Sequence, residues 1–194
     1  DIPVVIMAGG EGTRLKPFTN ILPKPLVPIH EKPIIEHIID SFNSYCSEFF
    51  ITTNYKARLL KAYFDELNPR YRVKFIKETK PLGTAGSLSI INRDKLSKDV
   101  LIIFGDLLFD IDFQKFYNFH KKLNSDLTIF SHPSDHLYDS DILDVNENNQ
   151  IKNIFFKPHR SNLITNNITM AGVFIIKKNF LNEIPKNRNN DFSK

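Results

Sequence analysis

Between Met7 and Leu26 the chain reads MAGGEGTRLKPFTNILPKPL, directly after the apolar run Val4-Val5-Ile6. Glycines at positions 9, 10 and 12 let the backbone enter φ values closed to other residues and let its N–H groups approach an anion closely. Arg14 adds a planar fork of donors that matches phosphate oxygens. Lys24, between Pro23 and Pro25, adds a point charge on a stiffened segment. Glu11 is the one acid in the stretch. A tight turn would account for one or two of the glycines, but it leaves Arg14, Lys24 and Pro17, Pro23 and Pro25 without a reason. The stretch is read as a cradle for a nucleotide triphosphate, leaving the carboxyl end of a buried strand where open α/β sheets bind ligands.

Two well-known phosphate loops do not fit. G-x-G-x-x-G would begin at Gly10 and Gly12 but meets Leu15 at its third glycine, and G-x-x-x-x-G-K-[ST] fails because Gly12 is followed by Thr13-Arg14. Downstream, the chain alternates in βαβ fashion. Ile34, Ile35, Ile38, Ile39 and Phe42 recur at helical spacing behind Pro33. Glu48 to Thr52 reads as a strand, and Lys56 to Leu67 as a helix with Leu59, Leu60, Tyr63, Phe64 and Leu67 inward. Val73 to Lys77 reads as the next strand. In Pro81 to Ser87, Thr84 reads as a helix cap. Asp99 to Phe104 is a strongly apolar strand that ends at Gly105-Asp106, which places the Asp106 carboxylate at the same sheet edge as the glycine loop, suited to a hard cation on phosphate oxygens. Asp110 and Asp112 read as turn and cap residues for a helix over Phe113 to Lys122. Strands are expected at Leu127–Ser131, Ile142–Val145, Ile151–Phe156 and Val173–Ile176, and a short helix or turn at Phe180 to Ile184. His132, Asp135, His136, Asp139, Asp141 and Asp144 match no compact metal motif and read as a solvated loop.

Length and composition allow one domain with a substantial core. No apolar run approaches the roughly 20 residues that cross a bilayer, so a cytoplasmic protein with no membrane partner is expected. The single cysteine, Cys46, reads as a buried thiol in a reducing compartment. A net charge of +4 comes from scattered basic residues among 22 acids, with no basic face, and argues against a nucleic-acid partner.

Gly9 to Ile29, as GGxGTRLxPxTxxxPKPLxPI, resembles the signature of the sugar-1-phosphate nucleotidylyltransferases. PLGTAGSL (Pro81 to Leu88), FGDLLFDID (Phe104 to Asp112), FKP (Phe156 to Pro158) and AGVFII (Ala171 to Ile176) agree in order. HPSDHLYDSDILDVNENNQI followed by FKPH resembles the heptose- or mannose-1-phosphate guanylyltransferase branch. The resemblance implies an α/β, three-layer Rossmann-like nucleotidyltransferase fold with a mostly parallel mixed sheet. It also implies one nucleotidyltransferase domain over residues 1–194, expected to be a fragment without its C-terminal end and open to fused domains.

The implied site has Ala8, Gly9, Gly10, Gly12 and Thr13 on the nucleotide, Gly83 by backbone and Glu78 or Thr79 by side chain on the base, and Arg14 on the leaving phosphates. Lys24 acts at the α-phosphate, Asp106 holds Mg2+, and Asp141, Lys157 and Gly172 take the sugar phosphate. Phe156 stands where the wider family has a glutamate, which favours a manno- or heptose-type sugar over glucose. The partners implied are a nucleoside triphosphate and a sugar 1-phosphate, with a homo-oligomer left open. The alternatives are a nucleotide-sugar-binding regulatory domain without full activity, a glucose-1-phosphate thymidylyl- or uridylyltransferase, and a reductase domain.

Overall fold

The structure is a computed structural model that describes residues 2–80, 82–134, 140–157 and 167–184, with Arg14 and Thr84 described by backbone alone. At its centre lies β1 (Val4–Met7), whose Val4, Val5 and Ile6 are fully buried because both faces of the strand are covered. Parallel strands flank it: β4 (Glu48–Thr53) and then β5 (Arg72–Lys77) on one side, and β6 (Asp99–Phe104) on the other. The earlier β2 (Pro28–Ile29) and β3 (Lys32–Pro33) form a separate two-residue ribbon.

Beyond β6 the sheet turns antiparallel through β7 (Leu127–Pro133), β8 (Ile142–Val145), β9 (Ile151–Phe155) and β10 (Ile168–Lys177), completing an eight-stranded mixed sheet.

Strand alternation divides the core in two. Val4, Ile6, Leu101, Ile103, Val173 and Ile175 face one layer, formed by α1 (Ile34–Asp40), α2 (Ala57–Leu67) and α4 (Phe113–Leu123). Val5, Val100, Ile102, Phe174 and Ile176 face the other, where Leu88 of α3 (Gly83–Leu88), Ile91, Leu96 and Leu181 close the core. This is the three-layer α/β architecture expected.

Several local expectations need correction. Leu59 and Leu67 of α2 are 45% and 38% exposed, and Leu60 and Phe64 alone are buried, because α2 covers the β4–β5 edge, where a narrow stripe suffices. Thr84 lies inside α3, and the N-cap position belongs to Leu82 without a side-chain cap. Strand β10 begins five residues before the expected Val173. Gly172, with φ +74°, does not open the strand but sits within a register shift between Met170 and Phe174. The shift lets the strand change partners: Ile168 and Thr169 pair with β8, and Val173 to Lys177 pair with β6. Asp112 caps α4 as expected, its Oδ1 accepting from the Lys115 N–H at 3.0 Å, and Cys46 is buried. No helix among the described residues is long and apolar enough to cross a membrane.

At the sheet end away from β1's glycine loop, His120 and Asp99 form a buried polar pair. His120 Nδ1 meets Thr128 Oγ1 at 2.7 Å, and the Tyr117 hydroxyl donates to Asp99 Oδ2 at 3.1 Å. His120 Nε2 and Asp99 Oδ1 lie 3.6 Å apart, and neither has a hydrogen-bond partner among the described residues. Burial holds the imidazole below its ordinary 6.5, against the opposing pull of Asp99. The unfolded chain therefore binds the extra proton first as pH falls. Stability is full above pH 6.5 and declines below it. Urea midpoints measured from pH 7.5 to 5.5 should fall with acidity, and His120→Gln should flatten that slope.

Candidate active site

The chain passes from β1 to β4 and β5 on one side, then crosses back to β6 on the other, so the loops after β1 and β6 part at the sheet's carboxyl edge. Open α/β sheets form their ligand crevice at such a switch point. Here a cleft of ≈ 290 Å³ opens, with Ala8, Gly9, Gly10, Lys24, Glu78, Gly83 and Asp106 on its walls, together with Thr52, Ser87 and Gly105.

The glycine loop is built by tethers at both ends. The Ala8 N–H donates to the Thr52 carbonyl at 3.1 Å. Gly12, at φ +65°, turns the chain so closely that an added Cβ would lie 2.9 Å from both Lys24 Cβ and Thr19 Cγ2. Between these tethers, the amides of Gly9, Gly10, Glu11, Gly12 and Thr13 make no hydrogen bond among the described residues. Consecutive unpaired amides around an αL residue form a concavity suited to an anion. A Cβ on Gly10 would meet nothing within 4 Å.

Lys24 opens a 3-10 turn over Lys24–Leu26, where the N–H of Leu26 reaches the Pro23 carbonyl at 2.9 Å. Its ammonium donates to Asp106 Oδ2 at 2.6 Å. Asp106 is aimed by the tight Gly105 turn, whose N–H bonds to the Met7 carbonyl at 2.9 Å and leaves no room for a Cβ. The two groups expected to meet phosphate and cation thus face each other across the cleft. Both are partly exposed, at 24% and 41%, so their attraction adds little to folding stability.

Glu78 is buried and Thr79 is exposed, which favours Glu78 of the two candidates. Its Oε1 accepts from the Ser87 hydroxyl at 2.8 Å and its Oε2 from the Leu82 N–H at 3.3 Å. Ser87 also lies 2.6 Å from the Gly83 carbonyl. Gly9 is glycine because a Cβ there would lie 2.7 Å from Glu78 Oε1. Sequence reasoning missed Thr52 and Ser87. The signal available for Thr52 was a hydroxyl at the end of a strand parallel to β1, and for Ser87 a small polar residue one helical turn beyond Gly83.

The remaining candidates lie elsewhere. Gly12 and Thr13 shape the loop without lining the cleft, and the Arg14 side chain is outside the described residues. Asp141 Oδ1 accepts from the Lys157 N–H at 3.1 Å, so it braces the backbone that carries Lys157. Phe156, beside it, is 41% exposed. At Gly172 the space of a Cβ is taken by Leu107 Cδ1 and Phe104 Cδ2, each at 2.8 Å, so apolar packing is what requires this glycine. Among the loop acids and histidines, Asp135, His136 and Asp139 lie outside the described residues. His132 Nδ1 meets the Pro133 carbonyl at 2.8 Å.

Fold and cleft together define an open α/β protein with a cleft beyond the carboxyl ends of its parallel strands. A model described as "Nucleotidyl transferase" matches residues 3–194, and the chain belongs to that family. A bifunctional protein GlmU of Methanococcus vannielii is 28% identical over 94% of this chain and 42% of its own length, so the chain spans about two fifths of that relative. The D-glycero-alpha-D-manno-heptose 1-phosphate guanylyltransferase of Aneurinibacillus thermoaerophilus is 32% identical over 66% of this chain and 56% of its own. Among solved structures, HddC from Yersinia pseudotuberculosis complexed with GMP-PN superposes with a TM-score of 0.82 at 28% identity, covering 100% of this chain and 84% of that one.

Proposed function

We propose that this domain joins a nucleoside triphosphate to a sugar 1-phosphate, releasing pyrophosphate and a nucleotide sugar, with GTP and a manno- or heptose-type sugar as substrates. The observation that carries the reading is the run of unbonded amides from Gly9 to Thr13 beside Lys24 and Asp106. An oxygen of the sugar phosphate attacks the α-phosphorus in line, and the bond from that phosphorus to the bridging oxygen of pyrophosphate breaks. The nucleophile is already an anion, so no general base is needed and the protein's task is to position and neutralise charge. Loop amides and Arg14 hold the departing phosphates, Lys24 turns from Asp106 to the α-phosphate, and Lys157 seats the incoming phosphate.

Asp106 fits a magnesium ion, since one carboxylate plus substrate phosphates is the donor set this hard cation favours. When bound, the ion would supply charge neutralisation at the phosphate oxygens.

The chemistry of Glu78 supports guanine. A carboxylate only accepts hydrogen bonds. Guanine offers it N1–H and N2–H side by side, whereas uracil and thymine offer one N–H flanked by two repelling carbonyl oxygens. The relative from Aneurinibacillus thermoaerophilus carries the name of a guanylyltransferase, which agrees with this choice. A nucleoside triphosphate substrate agrees with a reaction in the cytoplasm.

A test pairs pyrophosphate release, using four nucleoside triphosphates against mannose-, heptose- and glucose-1-phosphates, with nucleotide affinity of Gly10→Ala. With open space around Gly10, the variant should melt with the unaltered chain yet bind GTP about tenfold more weakly, because only a ligand can supply the clash. Unchanged affinity would count against the phosphate loop. Nucleotide binding without pyrophosphate from any pair would favour the regulatory-domain alternative.

A further inference from the structure

Thr19 is 1% exposed although it lies between exposed neighbours on a surface loop, and Phe18 and Ile21 nearby are 64% and 74% exposed. A threonine drawn inward while hydrophobic neighbours face water has a polar reason to be there. Its hydroxyl donates to the Gly12 carbonyl at 2.9 Å, and its methyl packs against the face of Gly12 where a Cβ would stand. Its own carbonyl accepts from the Tyr55 hydroxyl at 3.2 Å, and the Lys56 ammonium bonds to the neighbouring Asn20 carbonyl. Tyr55 and Lys56 stand at the turn between β4 and α2, on an element independent of the glycine loop.

We infer that Thr19 is a positioning residue for the triphosphate: it fixes which side of the Gly12–Thr13 peptide faces the ligand, and Tyr55 anchors it to the rigid sheet. In a trans peptide, C=O and N–H point in opposite directions. Holding the Gly12 oxygen on the Thr19 side therefore turns the Thr13 N–H away from Thr19, and that N–H has no partner among the described residues. Glycine at position 12 makes the restraint necessary. Turning this peptide plane changes ψ of Gly12 and φ of Thr13, and Gly12, without a Cβ, restricts its own ψ little, so a contact from outside the loop is needed to hold the plane. The Leu15 N–H also reaches the Gly12 carbonyl, at 3.0 Å, but it belongs to the same short turn and gives no anchor outside it. Thr19 supplies the external reference. This inference rests on the phosphate-loop reading above.

The experiment measures GTP affinity and steady-state constants on the full chain for Thr19→Val, Thr19→Ser and Tyr55→Phe, with Gly10→Ala as reference. Thr19→Val keeps the volume and the methyl contact but loses the donor. It should raise the KM and Kd for GTP about tenfold, with the KM for the sugar phosphate within about twofold of the unaltered chain. Thr19→Ser keeps the donor and should restore GTP affinity to within about threefold. Tyr55→Phe, which alters no buried contact of Gly12, should weaken GTP binding about threefold, in the same direction. It serves as the deciding variant if Thr19→Val fails to fold, and unchanged GTP affinity in Tyr55→Phe then overturns the inference. Normal GTP affinity in Thr19→Val, with Gly10→Ala impaired, overturns the brace alone. Thr19→Ser as weak as Thr19→Val overturns it too, since the methyl would then be what matters. Normal affinity in all of them, Gly10→Ala included, overturns the phosphate-loop reading and the brace with it.

Discussion

Asp106→Asn is expected to slow pyrophosphate release by at least about a thousandfold, a loss of roughly 4 kcal/mol in the barrier, while the melting temperature stays within a degree or two. The side chain keeps its size and one oxygen but loses its charge. Among the described residues its carboxylate pairs with the Lys24 ammonium, in a partly exposed ion pair that contributes little to stability. Structure is therefore insulated from the change, and chemistry is not. A hard cation loses the more exposed of the two carboxylates on the described cleft wall, since the other, Glu78, is buried against Ser87 and Leu82. Turnover in magnesium buffer at the rate of the unaltered protein would remove Asp106 from the mechanism. A companion measurement separates binding from chemistry: with Lys24 released, metal-free nucleotide should bind the variant at least as tightly as it binds the unaltered chain.

The largest effect on stability is expected from Gly172→Ala, about 3 kcal/mol. Two costs combine at this one residue. A side chain at φ +74° adds of order 1 kcal/mol or more of backbone strain. Its Cβ would also be driven to 2.8 Å from both Phe104 and Leu107, and overpacking a filled core costs about 1–3 kcal/mol. Phe104 cannot retreat freely, because its ring packs at a tilt against buried Phe174 with centroids 5.5 Å apart and it ends the strand that precedes Asp106. Urea unfolding should show the loss, and GTP binding should weaken with it, since Phe104 lines the cleft. An unaltered urea midpoint would mean that β10 does not bend where it is described.

Features governed by local chemistry were legible in the residues. Val4 to Ile6 read as a strand buried on both faces, and Asp112 read as a cap. The placing of Asp106 followed from an apolar strand ending in Gly-Asp, and Gly9, Gly10 and Lys24 share its cleft, together with Ala8, Glu78 and Gly83, which the family resemblance implied. What depended on distant partners was not legible. Ala171-Gly172 looks like the start of a strand, because a glycine normally interrupts one, and only the exchange of β8 for β6 as neighbour explains a strand that continues through it. Leu59 and Leu67 fit a helical stripe but face water, since periodicity states which side of a helix is apolar and not how wide a surface it covers. Thr19 carried no signal as a threonine in a proline-flanked loop. Its importance appears only when Gly12 is brought against it from seven residues away.

The ion pair between Lys24 and Asp106 sets a condition on what can enter the cleft. A visitor of one sign recruits one member of the pair and strands the other without a counter-charge. A visitor that brings both signs satisfies the two at once. On the proposed reading, the pair would therefore favour a composite guest over either half arriving by itself.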